Sequence, residues 1–246
     1  MEISNLRNLH YLHWLKVVVL LLFVSNVGNA QLSGSTGNYN YFDFQKKPFY
    51  FGISLGLNTS SYRINHSKNF IANDSINVAE SSYGPGFHLY IITNMKIGSN
   101  FDFRMLPGFS FTERQFEFTS AIEDDMLSRR RIESVFFDLP LQLRFKSEAY
   151  KDKKAFFVAG LKYSFDVQSN SKTRQANSLI KISPHDFQLE VGAGMQFFFP
   201  YFIFSPEIKF SRGINNLLIY NDNLNESRVL EQIGSQIFTI SFHFEG

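Results

Sequence analysis

The sequence predicts an all-β fold, an eight-stranded antiparallel transmembrane β-barrel of the outer membrane. Eight segments of the 246-residue chain alternate apolar and polar residues with a period of two, the pattern of strands that bury one face. Most are longer than the ~5–6 residues usual in soluble proteins and match the ~9–11 that cross a bilayer at a tilt. Their links alternate between short turns and long polar loops, as in outer-membrane barrels.

Composition excludes several other classes of protein. The chain is 44% hydrophobic and 19% charged, so it is not a disordered protein. It contains 29 Phe and 11 Tyr but no Cys, which excludes disulfide bridges, thiolate metal sites and cysteine nucleophiles. The formal net charge of +2 gives no electrostatic reason to expect nucleic acid as a partner, and we predict none.

The start of the chain has the features of an export signal. A basic, acid-poor beginning is followed by an apolar run at 17–24 and by small residues up to Ala30. An uncleaved membrane anchor would need about 20 apolar residues, roughly twice the length of this run. The predicted organisation is a cleaved signal peptide at 1–30, a periplasmic N-terminal segment at 31–47 and the eight-stranded barrel at 48–246.

The predicted strands follow in order along the mature chain. In the first, Phe49, Phe51 and Ile53 share one face. In the third, the alternation changes phase, which a bulge near Glu113 would explain. The eight segments are 49–58, 85–96, 101–112, 133–146, 155–167, 186–199, 201–211 and 236–244. Short links are expected at 98–100, 147–153 and 200–201, and long ones at 65–81, 119–130, 170–183 and 212–234.

The apolar face of these strands is predicted to meet lipid. An eight-stranded barrel is too narrow to bury so many large side chains, so the polar face must line the lumen. A soluble sandwich or a lipocalin-like barrel would alternate in the same way, but strand length and link length favour the membrane barrel. Aromatic residues near the short turns would form a girdle at the periplasmic interface: Phe101, Phe103, Phe197, Phe199, Tyr201 and Phe202.

The lumen face carries four residues of each charge. These are Arg104, Arg144, Lys162, Lys209, Asp138, Asp166, Glu190 and Glu207. The balance predicts interior pairs that support the fold rather than an ion-selective ring, because an unpaired buried charge costs several kcal/mol. Folding strands four and five onto each other places Asp138 opposite Lys162. Folding strands six and seven places Glu190 opposite Lys209.

The sequence predicts no catalytic site. The histidines of the mature chain are His66, His88, His185 and His243, and none lies in a recognisable nucleophile motif. No His, Asp or Glu spacing indicates a metal site, and no glycine-rich phosphate loop is present. We therefore predict no enzyme, no metal and no cofactor. A lipid-modifying enzyme, the alternative, would need one histidine with an acid and a hydroxyl near the outer rim.

Two segments carry a resemblance to a known family. Residues 47–58 read KPFYFGISLGLN, and residues 137–141 read FDLPL. With the Phe-rich last strand and the overall size, they resemble the PorT family of Bacteroidetes outer-membrane proteins. The resemblance covers the mature chain as architecture and implies a component of the type IX secretion system. It supplies no catalytic residues.

A narrow barrel cannot itself pass a folded protein, so the resemblance implies an accessory or assembly subunit that works by contacts. The expected partners are outer-membrane lipid, lipopolysaccharide and other secretion-system proteins. The most concentrated charge among the predicted loops is a candidate contact formed by Arg129, Arg130 and Arg131. A run of three arginines is usually a solvated edge or a lipopolysaccharide contact, and less often the site of a specific protein partner. A generic OmpX-like adhesin or stabilising barrel would have the same sequence pattern.

Overall fold

A computed structural model of the chain describes residues 40, 42, 44, 46–66, 76–120, 127–168, 181–220 and 230–246. The predicted signal peptide and most of the predicted periplasmic segment lie outside the described residues. The strands are β1 Phe49–His66, β2 Ile76–Ile97, β3 Phe101–Met105, β4 Gly108–Ser120, β5 Leu127–Lys146, β6 Lys153–Asp166, β7 Lys181–Ile182, β8 His185–Phe198, β9 Ile203–Gly213, β10 Leu218–Ile219 and β11 Leu230–Glu245.

The long strands form one closed antiparallel ring. Each pairs with its neighbours along the chain, and β1 pairs with both β2 and β11, which closes the cylinder. Strands β3 and β4 lie end to end between β2 and β5 and act as one strand. Pro107 separates them because proline has no N–H to donate to the ladder. The ring therefore has eight strands, and the predicted fold class is confirmed.

Backbone hydrogen bonds of Pro107 and of the residue before it keep the ring continuous where β3 ends and β4 begins. The Leu106 N–H donates to the Pro140 carbonyl at 3.0 Å, and the Ile91 N–H donates to the Pro107 carbonyl at 2.9 Å. Complete backbone hydrogen bonding is required in lipid, where each unpaired backbone group costs several kcal/mol. Among the described residues, no helix is both long and apolar enough to cross a membrane.

The apolar face points outward, as predicted. Phe51 and Leu57 of β1 are 61% and 67% exposed, whereas Ser54 between them is fully buried in the lumen. The same alternation holds in β6, β8 and β11. In β9 the faces exchange parity after the turn at Pro200, so that Glu207 and Lys209 are buried while Ile208 is exposed. A lipid-facing belt of apolar side chains therefore surrounds a polar interior.

Short turns and the barrel's two described chain ends lie at the same end of the cylinder. The links after Ile97, Lys146 and Phe198 are short, and β1 begins and β11 ends beside them. Gly98 in the first of these turns has φ of 86°, a conformation that other residues adopt at a cost. In outer-membrane barrels the short turns face the periplasm, so this end is the periplasmic end.

Aromatic rings surround the periplasmic end. Phe199 stacks on Phe202 with ring centroids 5.0 Å apart, Phe202 contacts Phe244 at 6.2 Å, and Phe101 contacts Phe145 at 5.2 Å. These rings are exposed on the outer wall, where an interfacial girdle is expected.

Several strands are longer than the sequence pattern indicated. The prediction placed loops at 65–81 and 119–130, but β2 begins at Ile76, β4 continues to Ser120 and β5 begins at Leu127. At 22 and 20 residues, β2 and β5 are about twice the length that crosses a bilayer. We call the part of the barrel formed by 76–84, 113–120 and 127–135 the extracellular wall.

The bulge near Glu113 lies on a different strand from the one predicted. Pairing between β4 and β5 is continuous past Glu113, and Thr112 and Arg114 both point into the lumen. The register changes instead in β2, where Tyr83 pairs with Arg114 and Gly86 pairs with Thr112. The extra residue therefore lies at Gly84 and Pro85, which suits proline because a bulge needs fewer ladder hydrogen bonds.

Leu161→Arg tests the lipid-facing assignment. Leu161 lies near the middle of β6, is 55% exposed and pairs with Leu141 and Leu189. An arginine at this depth should lower the free energy of unfolding by about 2–4 kcal/mol in lipid vesicles, measured by circular dichroism in urea. Tyr150→Arg, on the exposed periplasmic turn, should change it little. Equal effects of the two substitutions would contradict the assignment.

Candidate functional site

The centre of the lumen is occupied by buried charges from four strands. Arg104 on β3 donates to Glu245 of β11 at 2.9 Å and to Glu207 of β9 at 3.3 Å. Arg144 on β5 donates to the same Glu245 carboxylate at 3.2 Å. The side chains of all four residues are fully buried. Strands that are far apart in the ring are thus joined across its interior.

A second cluster of charges surrounds Glu190 on β8. Its carboxylate lies 3.7 Å from the Lys162 nitrogen and 3.5 Å from the Lys209 nitrogen. Gln142 and Ser211 donate hydrogen bonds to it at 2.7 and 3.0 Å. Lys209 also lies 3.8 Å from Glu207, so the two clusters are continuous. We call the combined set the lumen network: Arg104, Arg144, Lys162, Lys209, Glu190, Glu207 and Glu245.

Smaller polar contacts fill the rest of the lumen. Near the periplasmic end, Asp102 accepts from Lys146 at 2.5 Å and from the Tyr50 hydroxyl at 3.1 Å. Further along, Asp138 accepts from the Tyr90 hydroxyl at 2.5 Å. Hydrogen bonds to charged groups are stronger than neutral ones, which favours a filled and ordered interior.

Aromatic rings complete the filling. The guanidinium carbon of Arg144 lies 4.1 Å from the ring centroid of Phe156, and that of Arg114 lies 4.7 Å from Tyr62 and 5.1 Å from Phe136. Cations are attracted to aromatic faces, most strongly where water is excluded. Phe136 and Phe156 therefore point inward, although most of the phenylalanines whose side chains are described face lipid.

Seven of the eight predicted lumen charges are buried in the interior, and Asp166 is half-buried near the outer end of β6. The Glu190 and Lys209 side chains are in contact, but the predicted register is wrong, because Glu190 lies opposite Ser211 and Lys209 lies opposite Gly192. The predicted Asp138–Lys162 pair is wrong, because Asp138 lies opposite Ser164 and Lys162 lies opposite Pro140. The turn between β5 and β6 places each residue opposite a partner two positions further along than predicted.

Three buried charged residues towards the periplasmic end of the lumen were absent from the predicted charge set. Glu245 binds both buried arginines, but the last strand was predicted to end at residue 244. Thr239, Ser241 and His243 on the polar face of that strand lead directly to Glu245. Asp102 and Lys146 were likewise on the polar faces of predicted strands. Extending the last strand by one residue would have added Glu245, whereas Asp102 and Lys146 were already within the predicted strands.

The histidines are not isolated. The His88 ring lies 3.2 Å from the Ser54 hydroxyl, and the His243 ring lies 3.2 Å from Glu207. All of these residues are at most 2% exposed, inside the lumen. His185 lies 2.8 Å from the Tyr163 hydroxyl on the outer wall. Within the described part of the chain, no group of three or more His, Asp or Glu residues is placed to bind a metal.

The candidate contact Arg129, Arg130 and Arg131 lies in β5, not in a loop as predicted. These residues pair with Glu117, Phe116 and Gln115 of β4 in the extracellular wall. Arg131 is exposed and lies 3.4 Å from Glu113. The side chains of Arg129 and Arg130 lie outside the described residues.

The closed ring, its lipid-facing belt and its buried charged interior define an outer-membrane β-barrel protein. The sequence matches the model of the outer membrane protein beta-barrel domain family over residues 29–218, which is more than half of the chain. The chain belongs to this family, and its location is the outer membrane.

Several solved structures are similar to the chain at low identity. OprG from Pseudomonas aeruginosa is 9% identical, with 80% of this chain and 95% of that chain covered and a TM-score of 0.46. Neisserial surface protein A is 9% identical, with coverage of 80% and 97% and a TM-score of 0.42. Ail from Yersinia pestis is 12% identical, with coverage of 81% and 100% and a TM-score of 0.37. No curated protein matches the sequence.

Glu245→Gln tests the central role of the lumen network. The substitution removes the charge that Arg104 and Arg144 share and leaves buried arginine charge uncompensated. We expect the free energy of unfolding to fall by about 3–5 kcal/mol. Glu113→Gln, which breaks an exposed contact with Arg131, should cost less than about 1 kcal/mol. Urea titrations followed by circular dichroism measure both, and a small loss for Glu245→Gln would contradict the assignment.

Proposed function

We propose that this protein is a non-conducting, non-enzymatic outer-membrane barrel that acts by contacts at its ends, as an accessory or assembly subunit of the type IX protein secretion system. The observation that supports a contact function is the lumen network. Charged side chains from β3, β5, β6, β8, β9 and β11 meet inside the ring and are almost fully buried. An interior filled in this way provides no path for a polypeptide.

Barrel size supports the same conclusion. Eight strands enclose a space just wide enough for side chains. Several glycines of this barrel have no space for a Cβ atom. A Cβ placed on Gly160 would lie 2.3 Å from the Leu141 carbonyl oxygen. The wall is therefore closely packed as well as filled.

Burial supports a function without catalysis. The Ser54–His88 and Glu207–His243 contacts combine groups that catalytic sites use, but each of these residues is at most 2% exposed. Groups this deeply buried present almost no surface to a lipid substrate. His185, on the outer wall, contacts a tyrosine hydroxyl and aromatic rings.

The secretion role rests on the resemblance of residues 47–58 and 137–141. The first segment begins β1 at the periplasmic end, and the second lies in the middle of β5. Both build the barrel wall, so a secretion partner would have to bind elsewhere. The extracellular wall is the largest described part of the barrel that continues beyond the lipid-facing belt, and it includes the candidate contact at Arg131.

The length of the extracellular wall also favours a second candidate. Strands β2, β4 and β5 continue well past the length that crosses a bilayer. A sheet that projects from the cell surface is suited to adhesion to an external partner. The OmpX-like adhesin or stabilising barrel therefore remains the alternative function.

Conductance tests the closed lumen. We expect the purified protein to give no stepwise current in planar lipid bilayers, because the lumen network blocks the pathway. A general porin reconstituted in the same bilayers is the positive control. Stable single-channel openings of the folded protein would contradict a non-conducting barrel.

Deletion of the gene tests the secretion role. Export of type IX cargo should be lost, as measured by analysis of secreted proteins, and restored by the full chain. A trimmed barrel that lacks residues 116–130, with Gln115 and Arg131 joined by a two-residue turn, keeps their pairing in the ring. We expect the trimmed barrel to insert but not to restore export.

The outcomes of this experiment separate the candidates. Normal export in the deletion strain would contradict the secretion role, and reduced surface attachment in the same strain would favour the adhesin. Full restoration by the trimmed barrel would exclude 116–130 as the contact and leave the secretion role intact.

A further inference from the structure

The chain that precedes β1 packs against the periplasmic end of the lumen. Phe44 is helical and only 5% exposed, whereas Phe42, two residues earlier, is 40% exposed. The ring centroids of Phe44 and Phe198 are 6.1 Å apart, and both side chains form one buried apolar cluster with Ile203. An aromatic side chain from outside the ring is therefore inserted into the barrel. We call the described residues 40, 42, 44, 46 and 47 the plug.

The barrel provides an apolar site for the Phe44 ring. Phe198 at the end of β8 and Ile203 at the start of β9 lie directly opposite each other. They are the last lumen-facing positions before the turn, and the next ones inward, Gln196 and Ser205, are polar. Apolar side chains at the open end of a polar lumen would meet water unless an apolar group covered them. We call Phe198 and Ile203 the Phe44 site.

Polar contacts hold the backbone of the plug. Lys96 donates to the backbone carbonyl of Phe44, and the Asn40 side-chain amide donates to the backbone carbonyl of Phe198 at 3.2 Å. The Lys47 ammonium nitrogen lies 5.1 Å from the ring centroid of Phe44. The Lys96 contact uses a carbonyl oxygen that every residue type possesses. An aromatic side chain is therefore the main feature that the Phe44 site requires of its occupant.

The plug is not part of the closed ring. Pairing of β1 with β2 begins at Phe49 and Met95, and the Lys96 N–H donates to the Pro48 carbonyl at 2.9 Å. None of the described plug residues belongs to a strand. The plug can therefore leave the lumen without breaking a strand pair.

The energetics of the plug favour reversible docking. Burial of one phenylalanine side chain provides a gain of the same order as the entropic cost of ordering a few residues. A cavity of about 240 Å³ borders the Phe44 ring and is also lined by Tyr50 and Lys96, so the ring is not enclosed on every side. A second aromatic side chain can therefore approach the Phe44 site while the plug opens and closes.

We propose that the plug is an autoinhibitory contact, in which Phe44 occupies a site that an aromatic residue of another polypeptide takes when the plug is displaced. The short connection to β1 keeps Phe44 at a high effective concentration, so the plug is the default occupant. A competitor with an aromatic side chain and an accessible backbone carbonyl would reproduce the contacts with Phe198, Ile203 and Lys96. The inference rests on the proposed contact function, which supplies the reason for a polypeptide to bind at this end.

Trypsin cleavage of the folded mature chain in detergent measures release of the plug. Lys46 is exposed and is followed by Lys47, whereas the bond after Lys47 resists trypsin because Pro48 follows. Cleavage of a transiently opened segment follows the population of the open form. We expect Phe44→Ala to accelerate cleavage after Lys46 about tenfold or more, because the buried ring is lost. Phe42→Ala, the matched control, should change the rate about twofold at most.

A peptide added in trans tests whether the Phe44 site accepts another polypeptide. Residues 39–45, YNYFDFQ, contain no lysine or arginine, so trypsin leaves this peptide intact. The open population should rise in proportion to 1 + [L]/Kd, so cleavage of the unmodified chain should double when the peptide concentration equals its Kd. The same peptide with Phe44→Ala should have no effect.

The outcomes are decisive for both parts of the proposal. Equal cleavage rates for Phe44→Ala and the unmodified chain would overturn the plug, and equal acceleration by Phe44→Ala and Phe42→Ala would overturn the role of the Phe44 ring. A cleavage rate that neither peptide changes up to millimolar concentration would overturn displacement by a second polypeptide. Migration of unheated samples on gels verifies that each variant is folded. None of these measurements depends on export, so they are independent of the test of the secretion role.

Discussion

Arg104 and Arg144 share the carboxylate of Glu245 inside the ring, and the rest of the barrel depends on that contact. Taking either arginine out of water costs several kcal/mol, and only a carboxylate held at hydrogen-bonding distance offsets the cost. Glu245 lies at the end of the last strand, whereas the arginines lie on β3 and β5. The contact can therefore form only once the chain has closed into a cylinder, which couples the interior charges to ring closure.

The lipid outside the barrel imposes the complementary constraint. Backbone groups have no water to bind in the bilayer core, so β1 and β11 must pair along their length, as they do from Gly52 to Ile64 without a register shift. Backbone pairing around the wall and charge pairing in the lumen therefore both require the closed cylinder. Apolar residues such as Leu57 face lipid at every second position, and the positions between them can hold only small or paired polar groups.

The alternation of residues made most of this fold predictable. It identified the lipid face, the parity change at Pro200 and all seven buried members of the predicted charge set. The alternation arises because one face of a strand meets lipid and the other meets the lumen. It failed as a guide in the parts of the strands that lie outside the bilayer. Outside the bilayer both faces of a strand meet water, so the polar run at 128–130 lacks the alternation and was read as loop. The register of neighbouring strands was also hidden, because both the β5–β6 and the β8–β9 pairings differ by two residues from the predicted ones. Long side chains make such contacts insensitive to register, and Lys209 reaches Glu190 from a position that is not directly opposite.

The two ends of the barrel differ from its membrane-spanning part. In the bilayer, every lumen charge of the network has an opposite charge nearby, and the result is a stable wall with no path through it. At the extracellular end β2 and β5 continue well past the length that crosses a bilayer. At the periplasmic end Lys96, Lys146 and Lys154 line a cavity, and Lys146 is paired with Asp102. Neither feature is needed to close the ring or to balance the lumen network. A closed barrel can act on other molecules only through surfaces that remain accessible, and both of these surfaces meet that condition.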